Sequence, residues 1–157
     1  SSHYVLDQLS IGDPVMVTAP MGSSYFRDEH TGPILCVAGG SGMAPIRSIA
    51  ETAIAKDGAR EVHLYFGVRD ERDIYFEERF SELARSHANF HFTPVLSEPL
   101  GETARRTGFV HEALAADLND FDGWKVYLCG PPVMVESVAD LLKDRGVSEG
   151  NIYADAY

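Results

Sequence analysis

Three stretches of the sequence combine residue types that chemistry could use. The first, CVAGGSGMAP over residues 36–45, runs an apolar segment into glycines that flank a serine, then a proline. A serine on a sharp glycine turn invites a nucleophile, but the hydrolase elbow needs G-x-S-x-G. Here Gly39 and Ser41 fit, while Met43 stands where the second glycine belongs. No acid-then-histidine order follows, and His111 reads as a lone surface histidine on a helix. The dinucleotide fingerprint G-x-G-x-x-G fails as well, because Pro45 replaces its last glycine. The physics beneath that fingerprint survives: glycine lets backbone approach a pyrophosphate, and unpaired N–H groups at a helix start face the anion. Pro45 suits a first helical turn, where its missing N–H costs nothing. On this motif alone, a phosphate cradle and a ligand-free turn stand level.

The second stretch is Gly67-Val68-Arg69 and the third is Cys129-Gly130-Pro131-Pro132. Arg69 alone reads as a surface charge and Cys129 as a small buried filler. Their positions matter more than their types. Each of the three stretches closes an apolar run, and nucleotide-binding sheets take ligands beyond the carboxyl ends of their strands.

Those runs alternate with helical patterns. Strands are expected at 15–19, 33–38, 61–68, 90–96, 124–129 and, at the end of the chain, 151–157. Helices are expected at 44–56, at 73–86 with Asp73 as its N-cap, at 109–118, and at 131–145 with Gly146 beyond its end. Residues 20–32 and the polar stretch 97–107 read as turns and loop. Strands that are apolar on both faces and separated by helices imply a parallel sheet covered on both sides. The expected class is α/β, a three-layer sandwich around a central parallel sheet of about five strands.

At 157 residues the chain fits one ordinary domain, and 45% hydrophobic with 24% charged residues reads as globular. No apolar run approaches the ~20 residues that span a bilayer, and no signal peptide is visible, so no membrane association is expected. Two unpaired cysteines argue against a disulfide framework, a zinc site or an iron–sulfur cluster within this chain. No metal is therefore expected, and the expected compartment is the reducing cytoplasm. A net charge of −11 disfavours nucleic-acid binding.

Taken in order, GGSGMAP, LYFGVRDERDIYFEERF, YLCGPP and a closing DAY resemble the ferredoxin–NADP reductase superfamily over nearly the whole chain. HTGPILCVAGGSGMAP, LYFGVRDERD and NIYADAY are similar to the reductase components of bacterial ring-hydroxylating dioxygenases, the naphthalene dioxygenase reductase type. The resemblance implies a ferredoxin reductase-like NAD-linked domain at 33–157. It also implies that 1–32 is the closing portion of a flavin-binding β-barrel, with IGDPVMVTAPMGSSYF as its last strand and turn. The implied activity is hydride transfer from NADH to FAD, with electrons passed on to a ferredoxin or an oxygenase component in aromatic-compound dioxygenation. FAD would belong to a flavin domain outside this sequence, and any [2Fe–2S] centre to a further N-terminal domain. Alone, the chain would be an inactive fragment. The alternatives are a reductase of the same superfamily serving a haem or cytochrome acceptor, and a non-catalytic nucleotide-binding module.

The resemblance also assigns residues. Gly40, Ser41, Gly42, Met43, Ala44 and Pro45 would wrap the pyrophosphate and the nicotinamide side, with Gly42 on the pyrophosphate's approach path. Gly39, Gly67, Val68, Arg69, Asp73 and Met134 would complete the cofactor site. Cys129, with Gly130, Pro131 and Pro132, would sit beside the nicotinamide and hold it within hydride reach of the flavin. Asp155, where glutamate is common, would lie near the reaction centre and Tyr157 over the flavin. Phe76 and Glu77 stand where NADPH-using members carry Tyr-Lys for the 2′-phosphate, which favours NADH and leaves NADPH as the alternative, since Arg69 could still take that phosphate.

Overall fold

A computed structural model describes residues 3–18, 22 and 24–157 of the chain. Its strands are β1 (Ile34–Gly39), β2 (Val62–Val68), β3 (Phe90–Leu96), β4 (Arg106–Thr107), β5 (Lys125–Gly130) and β6 (Ile152–Ala156). Its helices are α1 (Met43–Lys56), α2 (Glu77–Ser86), α3 (Val110–Asp117) and α4 (Pro132–Asp144). The six strands pair in the order β4-β3-β2-β1-β5-β6, every pair parallel. Strand order turns back between β1 and β5, and that switch point opens a crevice at their carboxyl ends.

Strand β1 lies at the centre, and all six of its residues are buried. Alternation then sorts the side chains between two cores. Ile34, Cys36 and Ala38 join Phe66, Tyr127 and the inner faces of α1 and α2. Leu35 and Val37 join Tyr65, Leu128 and the inner faces of α3 and α4. A strand that must satisfy two cores has no room for polar residues, which is why its sequence is continuously apolar. Helix α4 ends as expected: Gly146 adopts φ +87, its N–H bonds to the Lys143 carbonyl, and Val147 N–H reaches back to Leu142. This is the Schellman closure that glycine makes easy.

Three expectations change. The sheet has six strands because residues 106–107, expected as loop, pair with Val95 and Leu96 at its edge. Helix α2 starts at Glu77 instead of Asp73. Asp70 and Asp73 cap each other's backbone around a short 3-10 turn at 71–73, and Phe76 then takes a left-handed conformation (φ +59) that blocks continuous helix. Finally, Val15–Thr18 of the expected strand at 15–19 forms no ladder, and Met16 is 99% exposed. A strand needs a neighbour to satisfy its backbone, and none of the described residues pairs with it. Ala19, which ends that expected strand, lies outside the described residues, as do Pro20, Met21 and Ser23 of the expected turn. Residues 24–32, by contrast, are anchored: Phe26 packs on the α1/α2 core and Arg27 N–H donates to the Tyr127 hydroxyl at 3.0 Å.

Candidate functional site

The crevice at the switch point is a cleft of about 950 Å³ between the carboxyl ends of β1, β2 and β3 and the starts of α3 and α4. The expected site residues Gly39, Gly40, Gly67, Val68, Arg69, Asp73, Pro131 and Met134 line it. Ser41, Gly42, Cys129, Asp155 and Tyr157 gather instead around the other side of the glycine turn. Cys129 and Asp155 stand opposite each other in the β5–β6 register. Tyr157 N–H bonds the Gly130 carbonyl, and its hydroxyl meets Ser41 Oγ at 3.0 Å and the Gly39 carbonyl at 3.4 Å. Gly40 and Ser41 form the exposed saddle between the two groups. Gly130 is buried, Ala44 and Pro132 are exposed, and Pro45 is half-buried in the first turn of α1. The Met43 side chain is fully buried in the core, so it anchors α1 and offers nothing to a ligand.

The glycines divide their work. Gly40 has φ +50, and a Cβ there would meet nothing within 4 Å, so the backbone is open to an approaching group. Gly42 has ordinary helical angles, φ −60 and ψ −13, but a Cβ would lie 2.0 Å from the Cys129 carbonyl oxygen. Gly42 therefore seats the start of α1 against β5, and a side chain on it would strike Cys129 whatever lies on its other side.

The three helix starts around the turn differ in what they leave unsatisfied. Glu112 folds back so that its carboxylate accepts the Phe109 N–H at 2.8 Å, capping α3 with an anion of its own. No side chain caps α1 or α4. First-turn amides without an intrahelical partner attract negative charge. A short 3-10 turn, Gly40–Gly42, leads into α1, and the Met43 N–H donates back to the Gly40 and Ser41 carbonyls, so the turn itself, open at Gly40, is the exposed backbone at this helix start.

Burial pushes the Cys129 thiol up to about 11, with the Asp155 charge adding to the effect. A thiol held protonated can shape a pocket but does not attack as a nucleophile. Cys36, wholly buried, is pushed higher still by the same cause.

Several residues at the turn and the cleft carry no signal in the motifs. Tyr75 donates its hydroxyl to the Gly40 carbonyl at 2.6 Å and packs edge-on to Phe66, bracing the saddle from behind. Phe109, 61% exposed, stands at the cleft with its ring stacked on His111. Glu98 and Ser97 come from the loop after β3, and Arg72 from the turn after β2. An exposed aromatic just before a helix was the available signal for Phe109. Phe76 and Glu77 lie elsewhere: the Arg47 guanidinium sits over the Phe76 ring, and Glu77 pairs with Arg105 at 2.6 Å. Neither lines the cleft. Asp70 holds Arg72 at 3.5 Å and Asp73 holds the Asp70 N–H, while Arg69 makes no ion pair among the described residues.

An open glycine turn with uncapped amides at the switch point of a parallel sheet matches a known pattern. Residues 36–140 match the model of the oxidoreductase NAD-binding domain. The chain belongs to this family. Among its relatives is the ferredoxin–NAD(P)+ reductase component of the naphthalene 1,2-dioxygenase/salicylate 5-hydroxylase systems of a Ralstonia species. It is 43% identical over 99% of the chain and 48% of the relative. The corresponding naphthalene dioxygenase component of Pseudomonas putida is 38% identical over the same shares. Among solved structures, the Amycolatopsis cytochrome P450 reductase GcoB superposes with a TM-score of 0.90 at 40% identity, covering 99% of this chain and 47% of that one. The resemblance read from the motifs is therefore that of the family, and the fold is that of its NAD-binding domains. The chain spans about half the length of the curated relatives it matches. No helix among the described residues is long and apolar enough to cross a membrane.

Proposed function

We propose that residues 33–157 bind NADH as the pyridine-nucleotide domain of a flavin-dependent reductase, and that residues 1–32 close the barrel of its flavin domain. The observation that carries the nucleotide site is the Gly40 saddle, open above the uncapped start of α1 at the β1/β5 switch point. The diphosphate is assigned to that saddle, with its charge met by the amides of the Gly40–Gly42 turn at the start of α1. The adenosine half is assigned to the cleft, where Phe109 offers an exposed ring face and Arg69 and Asp73 border the sugar. The nicotinamide half is assigned to the side of Cys129, Asp155 and Tyr157.

When bound, dihydronicotinamide supplies a hydride. The chain supplies position: a neutral, buried Cys129 gives the ring a wall without competing charge, and Tyr75 and Tyr157 fix the saddle from its two sides through hydroxyl bonds. Tyr157, 58% exposed, leaves an aromatic face for a flavin. Exposed apolar side chains at Ile11, Val15 and Met16 are what a segment covered by another domain would show without it, which supports a flavin domain as the partner. By likeness to the relatives named above, the electrons continue to a ferredoxin or oxygenase component of an aromatic-oxidising system.

Coenzyme choice follows from the cleft. Glu98, Asp70 and Asp73 crowd the adenosine end with negative charge, and Arg72 is already held by Asp70. A 2′-phosphate dianion would meet repulsion there, offset only by Arg69. NADH is the favoured coenzyme.

The test is NADH binding by titration calorimetry with Gly40→Ala. The methyl group would project into the open approach while touching no protein atom within 4 Å. Losing one charge-assisted backbone hydrogen bond costs about 1.5–3 kcal/mol, so the dissociation constant should rise roughly 10- to 100-fold. Unchanged affinity in a folded variant would refute the assignment.

A further inference from the structure

A second constellation lies at the opposite rim of the sheet. Glu61 directly precedes β2 and His63 is its second residue, so the two-residue period puts both side chains on one face. His91 of β3 stands opposite His63 in the parallel register. Three donors therefore converge. Glu61 Oε1 lies 2.8 Å from His63 Nε2 and 2.9 Å from His91 Nε2. The imidazole centroids are 4.4 Å apart, and all three donor atoms fall within 4.8 Å of one another. Trp124 packs on the His63 ring with centroids 5.2 Å apart, holding it in place. The side chain of His63 is 15% exposed, whereas those of Glu61 and His91 are 45% and 44% exposed, so the cluster opens to solvent on one side.

We propose that Glu61, His63 and His91 form a binding site for a divalent transition-metal ion of the zinc type. Two imidazoles and one carboxylate are a donor set that zinc accepts, leaving a fourth position for water. Magnesium and calcium are poor candidates because they require several oxygen ligands. Metal–ligand bonds of about 2.0–2.2 Å on a tetrahedron set neighbouring donors about 3.3–3.6 Å apart. The two Glu61–imidazole contacts must widen by about 0.4–0.8 Å, a shift that the exposed Glu61 and His91 side chains can make by rotation. With both Nε2 atoms already turned toward one carboxylate oxygen, a cation can take the central place without rearranging the backbone. The paired-cysteine criterion applied to the sequence does not see this site, because strand register assembles it. Four residues along β2 separate His63 from Gly67 at the cleft, about 13 Å, so metal and nucleotide should bind independently.

The test is Co2+ binding to the tag-free chain, followed by visible d–d absorption and equilibrium dialysis, with Zn2+ as competitor. One Co2+ per chain, displaced by Zn2+, is expected, together with a melting temperature that rises with Zn2+. His91→Ala and Glu61→Gln, both at exposed positions, should weaken Co2+ binding by at least about tenfold and abolish the Zn2+-dependent rise. His3→Ala, which alters the separate His3–Asp7 pair, should change neither. A wild-type chain that binds NADH but takes up no Co2+ overturns the metal site alone, as does equal Co2+ affinity in wild type and His91→Ala.

Discussion

Gly42→Ala sets two well-known tendencies against each other, and they differ in sign. Gly42 sits at φ −60, ψ −13, a conformation alanine adopts without strain. Helix propensity alone would therefore make alanine more stable by about 0.5–1 kcal/mol. The packing says otherwise. The added Cβ would lie 2.0 Å from the Cys129 carbonyl oxygen and 2.5 Å from its carbon, where real contacts stop near 3.0 Å. The start of α1 and the end of β5 must then part by about 1 Å, and both belong to the buried centre of the molecule. Overpacking of this kind costs typically 1–3 kcal/mol, more where backbone meets backbone. Backbone meets backbone here, so the cost is taken at the upper end, about 2–3 kcal/mol, and the net loss after the propensity gain should be about 1–2.5 kcal/mol. For a domain of this size that is a melting temperature lowered by about 2–10 °C. Trp124, the single tryptophan, reports unfolding by its fluorescence in heat or urea. A Gly42→Ala chain that melts at or above the wild type would refute the reasoning, and with it the statement that this glycine serves packing.

Three further outcomes can be checked. Glu98→Lys, at the adenosine end of the cleft, should shift preference toward NADPH in competitive titrations. Phe76→Tyr with Glu77→Lys should leave preference unchanged, since neither side chain lines the cleft; a shift in the double variant would return selectivity to that segment. The Cys129 thiol is raised from 9.0 to about 11 in the folded chain, so the unfolded state loses its proton first as pH rises. Stability that is whole below about pH 9 should fall as pH climbs toward 11, and Cys129→Ala should flatten part of that slope in urea titrations.

The alternation of strand and helix was legible because burial on both faces imposes a pattern that polar residues cannot enter. Hence the positions of β1, β2, β3 and β5 follow from predominantly apolar runs, whereas β6, which holds Asp155 and no buried residue, offers no such run. Strand β4 has no such pattern: Arg106 and Thr107 are exposed, and only the edge of β3 makes them a strand. Asp73 carried a genuine capping signal, but it is spent within the turn that Asp70 opens, one turn too early for α2. The valines at 15 and 17 alternate as a strand should, yet pairing is a property of two segments, and no described residue pairs with them. The candidate site divides along the same line. Its glycine turn is contiguous, so spacing revealed it, whereas Tyr75, Glu98 and Phe109 reach it from three separate connections. The histidines at the opposite rim are a stricter case still, since they lie 28 residues apart and meet only through the β2–β3 register. Chemistry held within one turn can be read from spacing. Chemistry assembled across strands needs the topology first, because a slip of one residue would send His91 to the other face of the sheet.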